Sequence, residues 1–393
     1  MQSAGKNKER KPIYLDTNIQ IIFGVTLTSL LGLSVITPVF PMIVNEFNIT
    51  PQEIGLLVSI FTLPGIILSP IFGIFADRLG RKNIMVPSLM LFGVAGGTSF
   101  FASDFNTLLI LRFFQGIGMA PLWPLIFTIV SDLFSGKRRA AAIGYNVSIT
   151  NVGHAIFPAI GGALAILGWQ YPFLLSLVAI PVGLIVLFSL KNPEPRNKHN
   201  LKKYLSNFSR NLKNRQVVGL IVIGAVIFIV FGGAYLVYFP LLIGNSFGAS
   251  PLIIGLVMTI MPAAAAITAS QTGKLAKMYP EKNLLKATFV LYIVALVIIP
   301  FVNTLWLLFI PSVLFGIAFG LSDASRMTLL SKLAPMIRRA ALLSADEMIL
   351  VSGLTSGPLL MGVIFSFGGI NGVFYAAAGL SILMLAFSVI MLR

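Results

Sequence analysis

IVNEFNITPQEIGL, residues 43–56, returns as IGNSFGASPLIIGL, residues 243–256, at an offset of 200 residues and without a gap. Seven of the fourteen positions are identical. Matches that keep the same offset along the chain predict two halves with the same fold. The same offset pairs glycines, prolines and basic residues elsewhere: Gly73 with Gly273, Lys82 with Lys282, Gly116 with Gly316, Arg138 and Arg139 with Arg338 and Arg339, Gly153 with Gly353, and Pro158 with Pro358.

The sequence lacks the polar surface of a water-soluble protein. Its 393 residues are 57% hydrophobic and only 10% charged, whereas a soluble domain carries roughly 25% charged residues. Apolar runs recur that are long enough to cross a hydrocarbon core of about 30 Å, which takes about 20 helical residues. They lack the alternation of a lipid-facing barrel strand. The sequence therefore predicts an all-α integral membrane protein.

The apolar runs number twelve, six in each half. Residues 1–190 are predicted to form an N-terminal six-helix bundle, residues 191–215 a hydrophilic linker, and residues 216–393 a C-terminal six-helix bundle. Because an even number of crossings returns each half to its starting side, the repeat is parallel, an arrangement found in transporters. The predicted spans lie near residues 19–43, 54–75, 84–101, 108–133, 140–167, 171–190, 217–242, 253–272, 284–302, 305–330, 340–367 and 373–392.

The net charge of +16 follows the predicted topology. Of the 28 Lys and Arg residues, all but Arg112 and Arg326 lie in the two terminal segments, in the loops after helices 2, 4, 6, 8 and 10, or, in the case of Lys286, in the first turn after such a loop. By the positive-inside rule, both termini are expected in the cytoplasm, so the charge indicates orientation rather than a nucleic-acid surface. Residues 1–17 are polar and the first apolar run is too long for a signal peptide, so we expect the first helix to be retained.

Several chemistries find no support in the sequence. It contains no cysteine, two isolated histidines, His154 and His199, and no glycine-rich phosphate-binding loop of the G-x4-G-K-[ST] type. Disulfides, a metal cluster and a nucleotide site are therefore not expected. We expect neither a cofactor nor an enzymatic activity. The energy for transport is expected to come from an ion gradient or from the substrate's own gradient.

The loop after the second helix carries the most specific motif. It reads GIFADRLGRK, residues 73–82, and resembles the G-x3-D-R-x-G-R-K motif of the major facilitator superfamily. In that superfamily the motif is part of a cytoplasmic latch that holds the two halves together in one state. The resemblance assigns this role to Asp77 and Arg81, with Gly73 as the packing residue, and the same latch motif includes Arg78 and Gly80. The second half has Lys277 where Asp77 stands, which makes the latch asymmetric.

Helices 1 and 5 resemble the twelve-helix drug:proton antiporters within that superfamily. LGLSVITPVFP, residues 31–41, is similar to an LG-x5-P-V-x-P motif. Helix 5 is similar to the antiporter motif G-x8-G-x3-G-P-x2-G-G, with Phe157 in place of one glycine. Pro158 is expected to bend the helix and the glycines to pack closely against a neighbour. The matching residues are Gly144, Gly153, Pro158, Gly161 and Gly162.

Helix 4 places a charge inside the membrane at Arg112, in RFFQGIGMAP, residues 112–121. An arginine in a spanning helix costs about 2.5–3.5 kcal/mol on insertion scales and usually faces the bundle interior. The resemblance to the family motif R-x2-Q-G-x-G implies a part in proton coupling, since a fixed positive charge lowers the pKa of a nearby acid. The structural alternative is that Arg112 bonds backbone carbonyls of a neighbouring helix.

Few acids lie within the predicted spans, and each is a candidate proton carrier. Asp346 is preferred, then Asp323, then Glu347. A structural ion pair with Arg326 is the alternative for Asp323, because residues three apart share a helix face. His154 titrates in a suitable range, although a lone histidine in a helix is more often a structural hydrogen-bonding residue.

The central cavity of this superfamily is lined by helices 1, 4, 7 and 10. Polar and aromatic residues on these helices and on helix 5 are candidate substrate contacts, and they favour amphipathic or cationic organic molecules. The candidates are Gln20, Gln115, Trp123, Tyr145, Asn146, Tyr235 and Tyr238.

The sequence favours a proton-coupled antiporter that exports small lipophilic compounds across a prokaryotic inner membrane and works as a monomer. Its expected partners are the substrate, protons and the lipid bilayer. One alternative is a transporter of the same fold that carries a sugar, a metabolite or a lipid. A remote alternative is a sensor that does not transport. At some repeat-related positions only one half carries an acid, as with Asp346 against Asn146 and Asp323 against Trp123. We expect proton coupling at these positions.

Overall fold

The computed structural model describes residues 12–191, 214–333 and 339–391. The described residues form helices and connecting turns, with no strand among them. Most of the predicted linker, residues 192–213, lies outside the described part of the chain, as does Arg338 of the repeated arginine pair.

Eleven of the described helices are long and apolar enough to cross a membrane. Their order and length follow the predicted spans through residue 333, with starts and ends shifted by up to several residues. They are α1 (Thr17–Glu46), α2 (Gly55–Leu79), α3 (Arg81–Phe101), α4 (Phe105–Leu133), α5 (Gly136–Leu164), α6 (Tyr171–Ser189), α7 (Arg215–Phe247), α8 (Pro251–Met278), α9 (Glu281–Phe301), α10 (Leu305–Leu333) and α11 (Arg339–Met391).

The last helix, α11, covers the two spans predicted near residues 340–367 and 373–392. Its candidate membrane segment has 47 residues, or about 70 Å at 1.5 Å per residue, which is more than twice the hydrocarbon thickness of a bilayer. Gly369 interrupts it with a φ of 58° and a ψ of −162°, a conformation that glycine adopts without steric cost. The segment therefore consists of two helices joined at Gly369.

Two helices contain local departures from α geometry. In α1 a 3-10 turn spans Thr37–Val39. It contains Pro38 and lies two residues before Pro41, and neither proline has an N–H to donate. In α7 a π-helix spans Phe231–Tyr238, a form that is rare and frequent at functional sites. Both departures lie in the C-terminal half of their helix.

The two halves of the chain meet mainly at one end of the bundle, which we call the far end. There α5 packs on α8 so closely that a Cβ on Gly255 would overlap the carbonyl of Pro158. The same contact recurs between α2 and α11, where a Cβ on Gly55 would lie 3.0 Å from Pro358. The two contacts are related by the repeat, because Gly55 and Pro358 correspond to Gly255 and Pro158 at the offset of 200 residues.

One hydrophobic core runs across the far end. It joins buried residues of α7 to α11 with residues of the N-terminal half such as Val39, Ile43, Ile54 and Leu57. A second core is confined to α1 to α6. The far end of the bundle is therefore closed by apolar packing between the halves.

The opposite end, which we call the termini end, carries the first residues of α1 and the last residues of α11. At this end Gly73 of α2, Gly144 of α5 and Gly273 of α8 face open space, since no atom lies within 4 Å of a Cβ built on any of them. An apolar stripe on α2, which includes Ile67 and Leu79, is exposed there. The bundle is thus closed at the far end and looser at the termini end.

Candidate functional site

An ion pair inside the membrane-spanning region joins α10 to α11. The Nη1 atom of Arg326 donates to both carboxylate oxygens of Asp346, each at 2.6 Å. The side chains of Arg326 and Asp346 are 1% and 0% exposed. A buried charge is stable only when it is paired and hydrogen-bonded, so each of these residues holds the other in place.

Asp323 is the outer member of this cluster. It lies three residues before Arg326 on α10, and its Oδ1 accepts a hydrogen bond from Arg326 Nη2 at 3.3 Å. The ion pair proposed from sequence as the alternative for Asp323 is therefore present, but Arg326 also binds Asp346, which sequence spacing did not predict. The Asp323 side chain is 51% exposed, whereas Asp346 is enclosed, so Asp323 is the more accessible of the two acids that bind Arg326.

The cluster contains more acidic than basic side chains. Glu347 follows Asp346 on α11 and is exposed, which adds a third acid beside the single arginine. Two carboxylates can share Arg326 because its guanidinium presents donors in a planar fork. Protonation of one acid would bring the local charge closer to neutral.

Helix α7 approaches the cluster at a glycine. A Cβ on Gly224 would lie 2.8 Å from Cδ2 of Leu350 on α11, 3.0 Å from Nη1 of Arg326 and 3.1 Å from Cζ of Arg326, all tighter than ordinary van der Waals contact. The bare backbone of α7 therefore forms one wall around the guanidinium, and a side chain at this position would push against it.

Replacing Gly224 by Ala is expected to destabilise the protein by about 1–3 kcal/mol, the usual cost of overpacking. The new methyl group would press on Leu350 and on Arg326, and Arg326 is held on its other sides by Asp346 and Asp323. The repeat-related Gly24 provides a matched control, since its Cβ would meet only Val182 at 3.9 Å. Thermal unfolding of the two variants in detergent checks this. Equal midpoints for Gly224→Ala and Gly24→Ala would contradict the account of the α7 wall.

Arg112 lies in the N-terminal half, fully buried. Its Nη1 donates to Gln115 Oε1 at 2.6 Å and its Nη2 to the carbonyl of Gly32 on α1 at 2.7 Å. Among the described residues, no carboxylate lies within ion-pair distance of it. The expectation that Arg112 acts on a nearby acid is therefore corrected: it bonds a backbone carbonyl, as in the structural alternative.

His154 also makes a local contact. Its Nδ1 lies 3.1 Å from the hydroxyl of Ser34 on α1, and no acid of the charge cluster is on its helix, α5. This arrangement is the structural hydrogen bond that was the alternative to a role in proton transfer.

The latch motif forms ion pairs within the N-terminal half. Arg81 Nη2 lies 3.2 Å from Asp77 Oδ1, and Arg81 Nε lies 2.8 Å from Asp132 Oδ2 at the end of α4. Gly80 joins α2 to α3 with a φ of 96°, and Arg78 is exposed. These pairs tie α2, α3 and α4 together, and the close packing expected at Gly73 is absent because that glycine faces open space.

The helix 5 motif divides between the two ends of the bundle. Gly153, Gly161 and Gly162 pack closely, against Leu30, the carbonyl of Val35 and the carbonyl of Pro251 respectively. Pro158 lies inside α5 and its carbonyl meets α8. At the termini end Gly144 has no neighbour within 4 Å. The expected close seam is thus present only towards the far end.

The candidate substrate contacts do not gather around one site. Most of those on α1 and α4 are engaged elsewhere or exposed. Gln20 donates to the carbonyl of Tyr14, Trp123 stacks on Phe127, and Gln115 lies buried between Arg112 and Ser176.

The candidates on α5 and α7 are likewise dispersed. Tyr145 is 42% exposed, and Asn146 is buried and accepts a hydrogen bond from Thr26 at 2.7 Å. Tyr235 and Tyr238 are buried within aromatic stacks and are 4% and 0% exposed. Direct contact between a substrate and either tyrosine would therefore require α7 to move.

An aromatic wall beside the charge cluster was missed by sequence reasoning. The rings of Phe231 on α7 and Phe319 on α10 lie 5.0 Å apart, and Phe228 contacts both. All three are partly exposed, and Phe319 lies one turn before Asp323. Aromatic residues spaced four apart on both helices, Phe231 with Tyr235 and Phe315 with Phe319, were the available signal, since such residues share a helix face.

Comparison with known proteins gives the family. A family model described as the Major Facilitator Superfamily matches residues 22–243 and 221–393. This chain belongs to the major facilitator superfamily. Membership makes it a multi-pass membrane transporter rather than an enzyme, in agreement with the helices and the repeat.

Two relatives of this major facilitator transporter cover almost its whole length. Multidrug resistance protein 1 of Bacillus subtilis (strain 168) is 27% identical over 377 residues, which is 94% of each chain. Quinolone resistance protein NorA of Staphylococcus aureus (strain COL) is 24% identical over 379 residues, 96% of this chain and 94% of the relative.

Solved structures show the same fold. A bacterial homologue of the human lysosomal transporter Spinster, in an inward-facing and occupied conformation, superposes with a TM-score of 0.83. It is 18% identical and the match covers 95% of this chain and 96% of that structure. At this identity the likeness bears on the fold alone.

Proposed function

We propose that this transporter is a proton-coupled antiporter that exports small lipophilic or amphipathic organic compounds by alternating access. The observation that carries the proposal is the cluster of Arg326, Asp346 and Asp323, a buried ion pair with one half-exposed acid attached. Similarity over almost the whole chain to two proteins named for multidrug and quinolone resistance supports export of such compounds.

Asp323 is proposed as the residue that first takes up the proton. Protonation of Asp346 would break two hydrogen bonds of 2.6 Å and leave Arg326 without its main partner, whereas Asp323 makes a single contact of 3.3 Å and is half exposed. This reverses the order proposed from sequence, in which Asp346 came first. Asp346 then serves to hold the guanidinium beside Asp323.

The same acid is suited to bind substrate. Phe319 lies one turn from Asp323 on α10, and with Phe228 and Phe231 it forms an apolar aromatic wall. A lipophilic compound with a cationic group would pack on the wall and place its charge near Asp323. Proton and substrate would then compete for one carboxylate, which is the simplest physical basis for exchange of one for the other.

The arrangement of the helices supports alternating access. We propose that the protein has twelve crossings, with α11 crossing twice about Gly369, and that residues 1–190 and 216–393 form two parallel bundles. It is proposed to lie in the plasma membrane as a monomer with both termini in the cytoplasm. The termini end, where Gly73, Gly144 and Gly273 face open space, would then face the cytoplasm, which corresponds to an inward-facing state.

Transport in proteoliposomes with an imposed pH gradient tests this function. A panel of lipophilic cations, neutral lipophiles, sugars and lipids is offered to the purified protein, with protein-free vesicles as the control. We expect transport of lipophilic cations or amphipathic compounds that stops when a proton ionophore collapses the gradient. Gradient-independent transport, or transport only of a sugar or a lipid, would refute the proposal.

A further inference from the structure

Arg112 is a second buried charge, and it is not part of the charge cluster of Arg326, Asp346 and Asp323. Its side chain is 0% exposed, and its hydrogen bonds go to neutral groups, Gln115 Oε1 and the carbonyl of Gly32. Burying a cation without a counter-ion is costly, so its place in α4 requires a compensating physical role.

The guanidinium of Arg112 also lies over an aromatic ring of α2. Its Cζ is 4.1 Å from the ring centroid of Phe61, and Phe61 is 3% exposed, so this cation–π contact is desolvated and correspondingly strong. One turn further along α4, Gly116 packs against the backbone carbonyl of Phe61. Helix α4 therefore holds Phe61 by both its ring and its backbone.

The turn of α2 that contains Phe61 makes buried polar contacts with the other half. The hydroxyl of Ser59 donates to the carbonyl of Thr355 on α11 at 2.7 Å. The hydroxyl of Thr62 lies 2.8 Å from the hydroxyl of Thr355, and each of the two also lies within hydrogen-bond distance of a carbonyl of its own helix. These contacts flank Phe61, two residues before it and one after it, so the position of Phe61 sets the position of both hydroxyls.

This polar seam occurs on one side of the bundle only. At the offset of 200 residues, Ser59, Thr62 and Thr355 correspond to Thr259, Pro262 and Ala155. The hydroxyl of Thr259 bonds a carbonyl of its own helix, and the other two have no hydroxyl. The α5–α8 interface thus closes by apolar and glycine packing, whereas the α2–α11 interface adds to such packing two hydrogen bonds between side chains and the opposite half, which require alignment.

We propose that Arg112 is a positioning residue for the far-end closure: it holds the Ser59–Thr62 turn of α2 against Thr355 of α11 and so sets how readily the far end opens. The inference rests on the alternating-access movement of the proposed function but needs neither its proton nor its substrate. Loss of the guanidinium frees the Phe61 ring and misaligns both hydroxyls, which shifts the population towards far-end opening.

Cysteine labelling measures that population, and the sequence contains no cysteine of its own. Thr37 on α1 is 0% exposed near the far end and lies outside the α2–α11 seam, so Thr37→Cys reports opening. Ser99→Cys, also at a fully buried position, reports loosening of the N-terminal half itself. Maleimide labelling rates are measured on purified protein in detergent, without substrate or pH gradient.

Arg112→Gln is expected to raise the labelling rate at position 37 by about fivefold or more, the lower range of coupling between sites, and leave labelling at position 99 unchanged. Phe61→Leu, which keeps an apolar but smaller side chain and removes the ring, is expected to act in the same direction. Thr62→Val removes a seam contact directly and should raise the rate too. In the double variant Arg112→Gln with Thr62→Val, the labelling rate at position 37 should rise by less than the product of the two single increases, because both substitutions act on one seam.

A rate at position 37 that rises with Thr62→Val but not with Arg112→Gln or Phe61→Leu would overturn the positioning role while leaving alternating access intact. Parallel rises at positions 37 and 99 would also overturn it, since Arg112 would then merely stabilise the N-terminal half. Failure of proton coupling would leave these rates unaffected, so the two proposals fail separately.

Discussion

Replacing Asp323 by Asn is expected to reduce proton-gradient-driven transport by about 5- to 150-fold, the range of typical coupling free energies between two sites. Gradient-free exchange of a neutral lipophilic substrate should persist, whereas exchange of a cationic substrate should weaken because the variant lacks the carboxylate proposed to bind the cation. The Asn side chain keeps the shape of Asp323 and an acceptor oxygen for Arg326, so the fold and the aromatic wall remain, but it cannot take up a proton. Uptake and exchange in proteoliposomes with equal amounts of each variant provide the measurement.

Glu347→Gln is the matched control for this variant. Glu347 lies beside Asp346 and is exposed, and among the described residues no ion pair involves it. Its neutralisation should leave gradient-driven transport close to that of the unmodified protein. If Asp323→Asn kept its dependence on the gradient, or if Glu347→Gln lost it to the same extent, Asp323 would not be the proton-binding residue.

Removal of Arg326 is expected to cause the largest loss of stability. Arg326→Met leaves Asp346 buried with no counter-charge, and breaking a buried ion pair in this way costs about 3–5 kcal/mol. The double variant Arg326→Met with Asp346→Leu removes both charges and should recover most of that loss, because well-packed apolar residues often replace a buried pair without cost. Thermal unfolding in detergent compares the two.

Arg112→Met is the internal comparison for this prediction. Arg112 is as deeply buried as Arg326 but has no carboxylate partner among the described residues, so its removal leaves neutral acceptors, Gln115 and the carbonyl of Gly32. The expected cost is about 1–3 kcal/mol for unsatisfied buried polar groups. Should Arg326→Met be no less stable than Arg112→Met, or the double variant show no recovery, the ion pair with Asp346 would not be the main support of the cluster.

Much of the fold follows from sequence because a bilayer imposes length and polarity on each helix. The apolar runs locate the helices, and the repeat of residues 43–56 relates the two halves. The final pair of helices shows the limit: the structure joins them with almost no loop at Gly369, and a glycine in a run of small and apolar residues gives little indication of a turn.

The charge cluster was only partly predictable. The spacing of Asp323 and Arg326 predicts a contact on one helix face, and that contact is present. The shorter contacts of Arg326 with Asp346 connect two helices, and helical periodicity in a largely apolar sequence does not fix how α10 and α11 face each other. The close approach of α7 at Gly224 depends on the same tertiary packing and is not visible in sequence.

Arg112 illustrates the opposite case. A charge in a spanning helix implies a function, and a family motif suggested coupling to an acid. The structure instead gives it a carbonyl, an amide and an aromatic ring as partners, all of which are contributed by packing between α1, α2 and α4. Residue type alone could not distinguish these roles, because an arginine satisfies either.

Direct measurement of proton movement tests the central claim, that substrate and proton are exchanged through Asp323. Proteoliposomes loaded with a pH-sensitive dye carry an established pH gradient, and a transported compound is added. We predict that substrate dissipates the gradient in vesicles with the unmodified protein and does so about 5- to 150-fold more slowly in vesicles with Asp323→Asn. Substrate movement without opposing proton movement in the unmodified protein, or equal dissipation by the variant, would contradict the account.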